Sequence, residues 1–404
     1  MSKKRWIGWT LGIVLVTNTI TFFGTSVFPV FFTKDKVIVK REDYDKIVQF
    51  SKLLDINELI HQRYVGEIDD SLLQEGAIKG MTAALKDPYT VFMNKDEYRE
   101  FSEQSEGNYS GVGLQVQSKE EKIKIIDVFE GTPAKKAGVM PGDEIQKVNG
   151  TEVDGKNLDK AVGMMKGPEG TEVTITFFRE DKGSFDLKLK RAKVNIMAAK
   201  GEVLSGGIGY LQLSSFDEDS SKSFKKILDD LKGKGMKGLV IDLRDNPGGY
   251  LDQCVNIVSN FVPKGNLVVS TMDKYGGKKE YNSKGGNYVG LPLVVLTNEN
   301  SASASEIFAG AIRDYEAGTL LGEKTYGKGV VQTLFETGEG TALKVTISKY
   351  YTPKGEDINK KGISPNVEVK YPEELLKQPY SREKDPQFKK ALEVIGEKVE
   401  RGGK

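Results

Sequence analysis

From about Gly206 onward the chain alternates short apolar strands with helical stretches, and this alternation constrains the fold more than any other feature. Gly209–Leu213, Gly238–Leu243 and Leu293–Leu296 read as strands, separated by helices over Ser220–Leu231 and Tyr250–Phe261 and followed by one over Ser305–Tyr315. Gly238–Leu243 is apolar at nearly every position, so both of its faces are expected to be covered. Strands alternating with helices in this way predict an α/β core.

The flanking regions follow other patterns. Apolar residues recur at three- and four-residue spacing from Tyr44 to Ile60, and a second helical stretch, Leu72–Leu85, halts at Pro88. Over 105–192 strand-like segments (Ile123–Val128, Glu172–Phe178) alternate with Gly/Pro turns, with one short helix at Leu158–Met165. The tail from Tyr371 is charged and carries an amphipathic stretch, Phe388–Val394. The chain is therefore expected to divide into 1–33, a helical region 34–104, a β-rich unit 105–192, the α/β core 193–370 and a helical tail 371–404.

Residues Lys3, Lys4 and Arg5 precede an uncharged run from Trp6 to Phe32, long enough to span a bilayer with some tilt. A single-pass membrane anchor is expected, with the basic residues on the cytoplasmic side and everything after Lys34 outside. A cleaved signal sequence is the rival reading.

Composition narrows the chemistry. The 59 basic and 58 acidic residues give a net charge of +1, without the basic excess of a nucleic-acid-binding domain. Cys254 is the only cysteine and His61 the only histidine, which excludes an internal disulfide and an HExxH zinc site. A Ser-His-Asp arrangement would have to use His61, which falls in a helical pattern and reads as a surface or packing residue. Neither a metal nor a cofactor is expected.

Three segments carry the chemistry. Asn298–Glu306 contains Ser301, Ser303 and Ser305 between a buried strand and a helix, where backbone N–H groups are free to face a developing oxyanion. Ser303 and Glu306 also satisfy the capping-box spacing. Lys328 lies between Gly327 and Gly329, followed by Val330, Val331 and Leu334. A lysine base must be neutral, and lowering its pKa by two to three pH units costs about 3–4 kcal/mol, which burial supplies. Gln332, four residues on, reaches the amine if the segment is a compact turn; the valines argue for a strand. Asp242–Gly249 ends a buried strand in a glycine turn, placing the Gly248 or Gly249 amide as a second oxyanion donor beside Ala304.

Taken together, Asp242–Gly249, Ser301–Ile307 and Thr325–Gln332 resemble the carboxyl-terminal processing, or tail-specific, proteases. The resemblance implies a crotonase/ClpP-like α/β protease core with an inserted PDZ domain over 105–192, between helical terminal regions. The family's serine-to-lysine spacing selects Ser303 as nucleophile, Lys328 as base and Gln332 as the residue orienting it. Tyr109–Val116 corresponds to the PDZ carboxylate-binding loop: Gly111, Val112 and Gly113 form the cradle, and Leu114 and Val116 line the pocket for the terminal side chain. Lys86–Thr90 is similar to a family motif closing the N-terminal region.

Lys166 stands where the family usually has an arginine that in some members couples the PDZ domain to the active site. Asn366 and Glu356 also depart from the pattern and are expected to affect loop packing. The implied activity is a serine endopeptidase that recognises substrate C-termini, acts on extracytoplasmic or membrane-associated proteins and forms a homodimer. The alternative is a non-catalytic PDZ adaptor on a protease-like scaffold.

Overall fold

The computed structural model describes residues 39–402 except 106–107, 120, 130, 196–197 and 377–379. The described residues fall into two compact units, one ending at Gln74 and one beginning at Glu75. In the first, the apolar pattern makes two helices, Arg41–Gln49 and Ser51–Arg63, separated at Phe50, whose φ of −101° and ψ of 7° leave the helical region. Neither helix buries a residue, and Tyr44, Ile47, Leu53, Leu54 and Leu59 are exposed. His61 lies 2.8 Å from Asp70 Oδ1 in an exposed contact.

The membrane localisation expected from the sequence is corrected here. Among the described residues no helix is long and apolar enough to cross a membrane. The helix Pro386–Gly402, at 17 residues, carries Lys, Glu and Arg throughout. The run Trp6–Phe32, on which the expectation rested, lies outside the described residues.

Residues 114–190 form an antiparallel sheet in which Leu114–Lys119, Lys122–Val128, Glu144–Val148, Glu172–Arg179 and Gly183–Lys190 lie side by side. Alternation works as expected for strands with one face inward. Ile123, Ile125 and Val128 point in from one strand, Val173, Ile175 and Phe177 from another, and Ala161 and Met165 of the helix Leu158–Met165 cover them. The chain enters and leaves this unit through one antiparallel pair, Asn108–Gly111 with Ala192–Asn195. A two-strand neck of this kind is how an inserted domain closes.

The core is a six-stranded sheet in the order Ala199–Leu204, Ile208–Leu213, Gly238–Asp242, Leu293–Thr297, Thr319–Gly322, Val367–Glu368, parallel from the second strand on. Every residue of Gly238–Asp242 and Leu293–Thr297 is buried. Leu239, Ile241, Leu293 and Val295 face the helices Ser220–Gly233, Leu251–Val258 and Ala304–Asp314. Val240, Val294 and Leu296 face Phe388, Ala391 and Ile395 of Pro386–Gly402. The terminal helix is thus the second cover that the all-apolar strands require.

Asp385 precedes that helix and Pro386 opens it, a favourable cap pairing in which Asp385 Oδ1 accepts the Phe388 N–H at 3.0 Å. Its other oxygen accepts from Arg244 at 2.7 Å, and Arg244 also holds Asp242.

A second, antiparallel sheet was not expected. The hairpin Val330–Gly338/Thr341–Tyr351 is flanked by Val91–Met93 and by Leu267–Asp273, which pairs with Lys278–Asn282. It carries the segment after Lys328 and draws the Lys86–Thr90 motif against it.

Candidate active site

The strand Leu293–Thr297 ends at Asn298, and the chain then turns sharply into the helix Ala304–Asp314. Ser303 caps that helix with φ 54° and ψ −112°, a region that costs an L residue about 1–3 kcal/mol. The surrounding bonds hold the turn in place. Ser301 Oγ donates to Leu243 O at 2.8 Å and accepts the Asn298 N–H at 3.0 Å. Ser305 Oγ donates to Asn246 O at 2.9 Å, and the same carbonyl accepts the Ala302 N–H at 3.0 Å. Ser301 and Ser305 are fully buried structural residues, whereas Ser303 between them is half-buried and reachable.

The glycine turn packs directly on this loop. A side chain at Gly248 would put its Cβ 2.7 Å from Ala302 O and 2.8 Å from both Ala304 N and Ser303 Cβ, and its φ is +102°. Gly249, at φ +144°, is pressed against the Phe216 backbone. Only glycine fits at either position.

Glu306 ties the nucleophile turn to the lysine loop. Its carboxylate is fully buried, yet Oε2 accepts the N–H groups of Ser303 (2.9 Å) and Lys328 (2.8 Å). Oε1 accepts from Thr325 Oγ1 (2.6 Å) and the Gly327 N–H (2.8 Å). Burial raises its pKa, and these four donors work against that rise. The Tyr350 hydroxyl lies between the carbonyl oxygens of Ser303 and Lys328, 3.1 and 2.5 Å away. Gly327 and Gly329 let the lysine loop pass against residues 359–362, because a Cβ at either would come within 3 Å of that backbone.

The Lys328 side chain is half-buried, and burial lowers its pKa from the ordinary lysine value. The positive charge of Lys344 lowers it further, while Glu306 and Asp87 oppose both. Its Nζ lies 4.7 Å from the ring centroid of Tyr89.

Known families match this chain in three stretches. The profile of peptidase family S41 covers residues 207–369, that of the PDZ domain 100–177, and that of the activating protease CtpB N-terminal domain 14–97. The chain is 38% identical over 332 residues to the carboxy-terminal processing protease CtpA of Bacillus subtilis, covering 82% of this chain and 71% of that protein.

The chain belongs to peptidase family S41.

It is also 37% identical over 342 residues to the carboxy-terminal-processing protease of Bartonella bacilliformis, covering 83% of this chain and 78% of that one. Among solved structures it is similar to the photosystem II D1 C-terminal processing protease, with a TM-score of 0.48 and 30% identity over 78% of this chain and 86% of that one. The protein is a carboxy-terminal processing serine protease with a PDZ domain and an α/β S41 core.

In this S41 protease the expected site residues divide into those the fold brings together and those it does not. Ser303, Ala304 and Gly248 meet at one turn, the Lys328 backbone is tied to it through Glu306 Oε2, and Gly249, next to Gly248, packs on Phe216. The Ala304 N–H opens the helix, but the Gly248 N–H already donates to Asn246 Oδ1 at 2.9 Å. Gln332 lies on the strand Val330–Gly338, so the valines prevail over the compact turn, and its Nε2 donates to Thr346 Oγ1 at 3.4 Å rather than to the lysine.

In the PDZ domain Gly111 pairs with Ala192 in the neck, and Val112 is buried. Gly113 has φ +86° with Thr132 where a Cβ would go, and Leu114 and Val116 lie half-buried on the first strand of the sheet. Lys166 stands 3.9 Å from Glu100. The departures Asn366 and Glu356 serve packing: Asn366 Oδ1 accepts the Leu320 N–H at 2.8 Å and Glu356 pairs with Arg313.

Three contributors were not singled out from the sequence. Glu306 was legible as half of a capping box and as part of the serine motif, without a role. Tyr89 fell inside the Lys86–Thr90 motif but nothing local pointed it at the site, and nothing local marks Tyr350, which reaches the site by long-range pairing. Arg191 is a fourth such residue in the PDZ domain. It donates to the carbonyls of Met164 (2.8 Å) and Met165 (3.1 Å), holding the C-terminal end of the helix Leu158–Met165 to the neck.

Proposed function

We propose that Ser303 is the nucleophile and Lys328 the general base of peptide-bond cleavage. The observation that carries this reading is the strained, reachable Ser303 whose backbone shares one buried carboxylate oxygen with the backbone of a lysine biased toward neutrality. In the first step Ser303 Oγ bonds to the scissile carbonyl carbon as its proton passes to Lys328 Nζ. The carbonyl oxygen, now an oxyanion, accepts from the Ala304 N–H and from the Gly249 N–H. The C–N bond then breaks, and the leaving amine takes the proton from Lys328. Water, deprotonated by the neutral amine, hydrolyses the acyl-enzyme and restores Ser303.

Selection of substrate begins at the PDZ domain, where the carboxylate of a substrate tail meets the amides around Gly113 and its terminal side chain meets Leu114 and Val116. Gln332, on the strand that leaves the lysine loop, is the residue that orients the amine: Thr346 Oγ1 holds its Nε2, and its Oε1 is the atom suited to accept from Nζ. The exposed apolar face of Arg41–Gln49 and Ser51–Arg63 favours self-association into a homodimer.

The test is casein turnover by the unaltered chain and by Ser303→Ala. Activity that disappears in Ser303→Ala supports the assignment. Equal activity in both chains removes it.

A further inference from the structure

We propose that Tyr89 is the positioning residue for the Lys328 amine: its ring face holds the ammonium at the nucleophile turn without an ion pair, so that the side chain stays in place and still releases its proton. This rests on the reading of Lys328 as base.

Tyr89 reaches the site by a defined route. Asp87 accepts the Tyr89 N–H at 3.1 Å and the Thr90 hydroxyl at 2.7 Å, fixing the turn after Lys86. Thr90 Oγ1 in turn accepts the Thr346 N–H at 3.1 Å, and Val91–Met93 continues as a strand paired to Ala342–Lys344. The turn is therefore docked on the same hairpin that follows Lys328, and the Tyr89 ring comes to lie 4.7 Å from Nζ. Burial and a bond to the Tyr326 hydroxyl keep the phenol protonated, with its pKa pushed up to about 12. The ring thus remains a neutral surface throughout the working range of the enzyme.

The charged and titratable groups around the amine come from every neighbouring element. Asp87 and Tyr89 belong to the docked turn, Glu306 to the nucleophile helix, Lys344 to the hairpin and Tyr326 to the lysine's own loop. Neither carboxylate forms an ion pair with Lys328. Both Glu306 oxygens are occupied by the four donors described above, and Asp87 is occupied by its own turn.

That arrangement suits a base. A carboxylate against Nζ would favour the ammonium strongly and raise the pKa. A ring face attracts the ammonium more weakly, through its quadrupole, and accepts no proton. It fixes where the amine lies while leaving the effect of burial dominant.

The experiment compares pH–rate profiles for casein hydrolysis, read as release of acid-soluble peptides, in the full chain and in Tyr89→Leu, Tyr89→Phe and Ser303→Ala. The ring favours the protonated lysine, so removing it lowers the pKa. Tyr89→Leu is expected to lose about tenfold to a hundredfold in rate, with the acid limb moved to lower pH by up to about one unit. Tyr89→Phe keeps the ring and is expected to recover most of the rate and the original limb. A Leu variant with an unmoved limb, or a Phe variant as impaired as Leu, overturns the proposal.

Should Tyr89→Leu not fold, the Lys328 ε-CH₂ resonance in the Ser303→Ala chain decides. An upfield ring-current displacement is expected there, and its absence overturns the proposal. Undiminished hydrolysis by Ser303→Ala would instead overturn the protease mechanism itself.

Discussion

Ser303 and Lys328 donate their backbone N–H groups to the same atom, Glu306 Oε2, at 2.9 and 2.8 Å. This shared acceptor fixes the relative position of the two loops whatever their side chains do. It also costs a buried carboxylate, which is tolerable only because four donors surround it.

Replacing that carboxylate by an amide tests the arrangement. Glu306→Gln presents an NH₂ group toward two of the four donors. We expect a stability loss of about 1.5–3 kcal/mol, measured by urea unfolding, and a fall in casein turnover of about a hundredfold. Wild-type turnover in this variant would show that the two loops are held by other contacts.

The three serines of the turn separate by role. Ser301→Ala strands the Leu243 carbonyl and the Asn298 N–H in a buried site, so it is expected to cost about 1–3 kcal/mol of stability while the folded fraction still cleaves. Ser303→Ala is expected to do the reverse, removing turnover with an unchanged melting temperature. The two measurements together distinguish a structural hydroxyl from a reacting one.

Gly248 is constrained from two sides, by a φ of +102° and by contact with the nucleophile turn. Gly248→Ala is expected to lose at least about 1–3 kcal/mol from backbone strain alone, with turnover abolished because Ser303 and Ala304 must shift. Thermal melts and casein assays on the same preparation check both halves.

The pH dependence follows from the lysine. Burial and Lys344 lower its pKa, so the fraction of neutral amine rises with pH through a value below the ordinary lysine range. Rate is expected to climb with pH from neutrality upward and to level before the ordinary lysine value of about 10.4. Lys344→Met removes one of the two depressing influences and should move the climb to higher pH. Lys328→Arg is expected to be inactive at every pH in that range, because a guanidinium stays protonated.

Much of this was legible from local pattern. The buried strands Gly238–Asp242 and Leu293–Thr297, the helix Leu158–Met165 and the stop before Pro88 follow from apolar runs, spacing and proline, which act over a few residues. What escaped depends on distant segments meeting. The antiparallel sheet is assembled from strands separated by the whole inserted PDZ domain and most of the core, and it is this sheet that carries Tyr89 to Lys328. Gln332 shows the same limit in reverse. Its spacing from Lys328 permitted a turn, but β-branched Val330 and Val331 favoured a ladder with Thr346 and Ser348, where the amide nitrogen of Gln332 meets Thr346 Oγ1. The Gly248 amide was a plausible donor by sequence, yet the fold uses it to hold Asn246.

Covalent labelling addresses the central claim most directly. Incubation with a fluorophosphonate, followed by peptide mapping, should place one phosphonyl group on Ser303, at a rate that increases with pH and falls to background in folded Lys328→Ala. Labelling of a different residue, or labelling of Ser303 at the same rate without Lys328, would contradict the account.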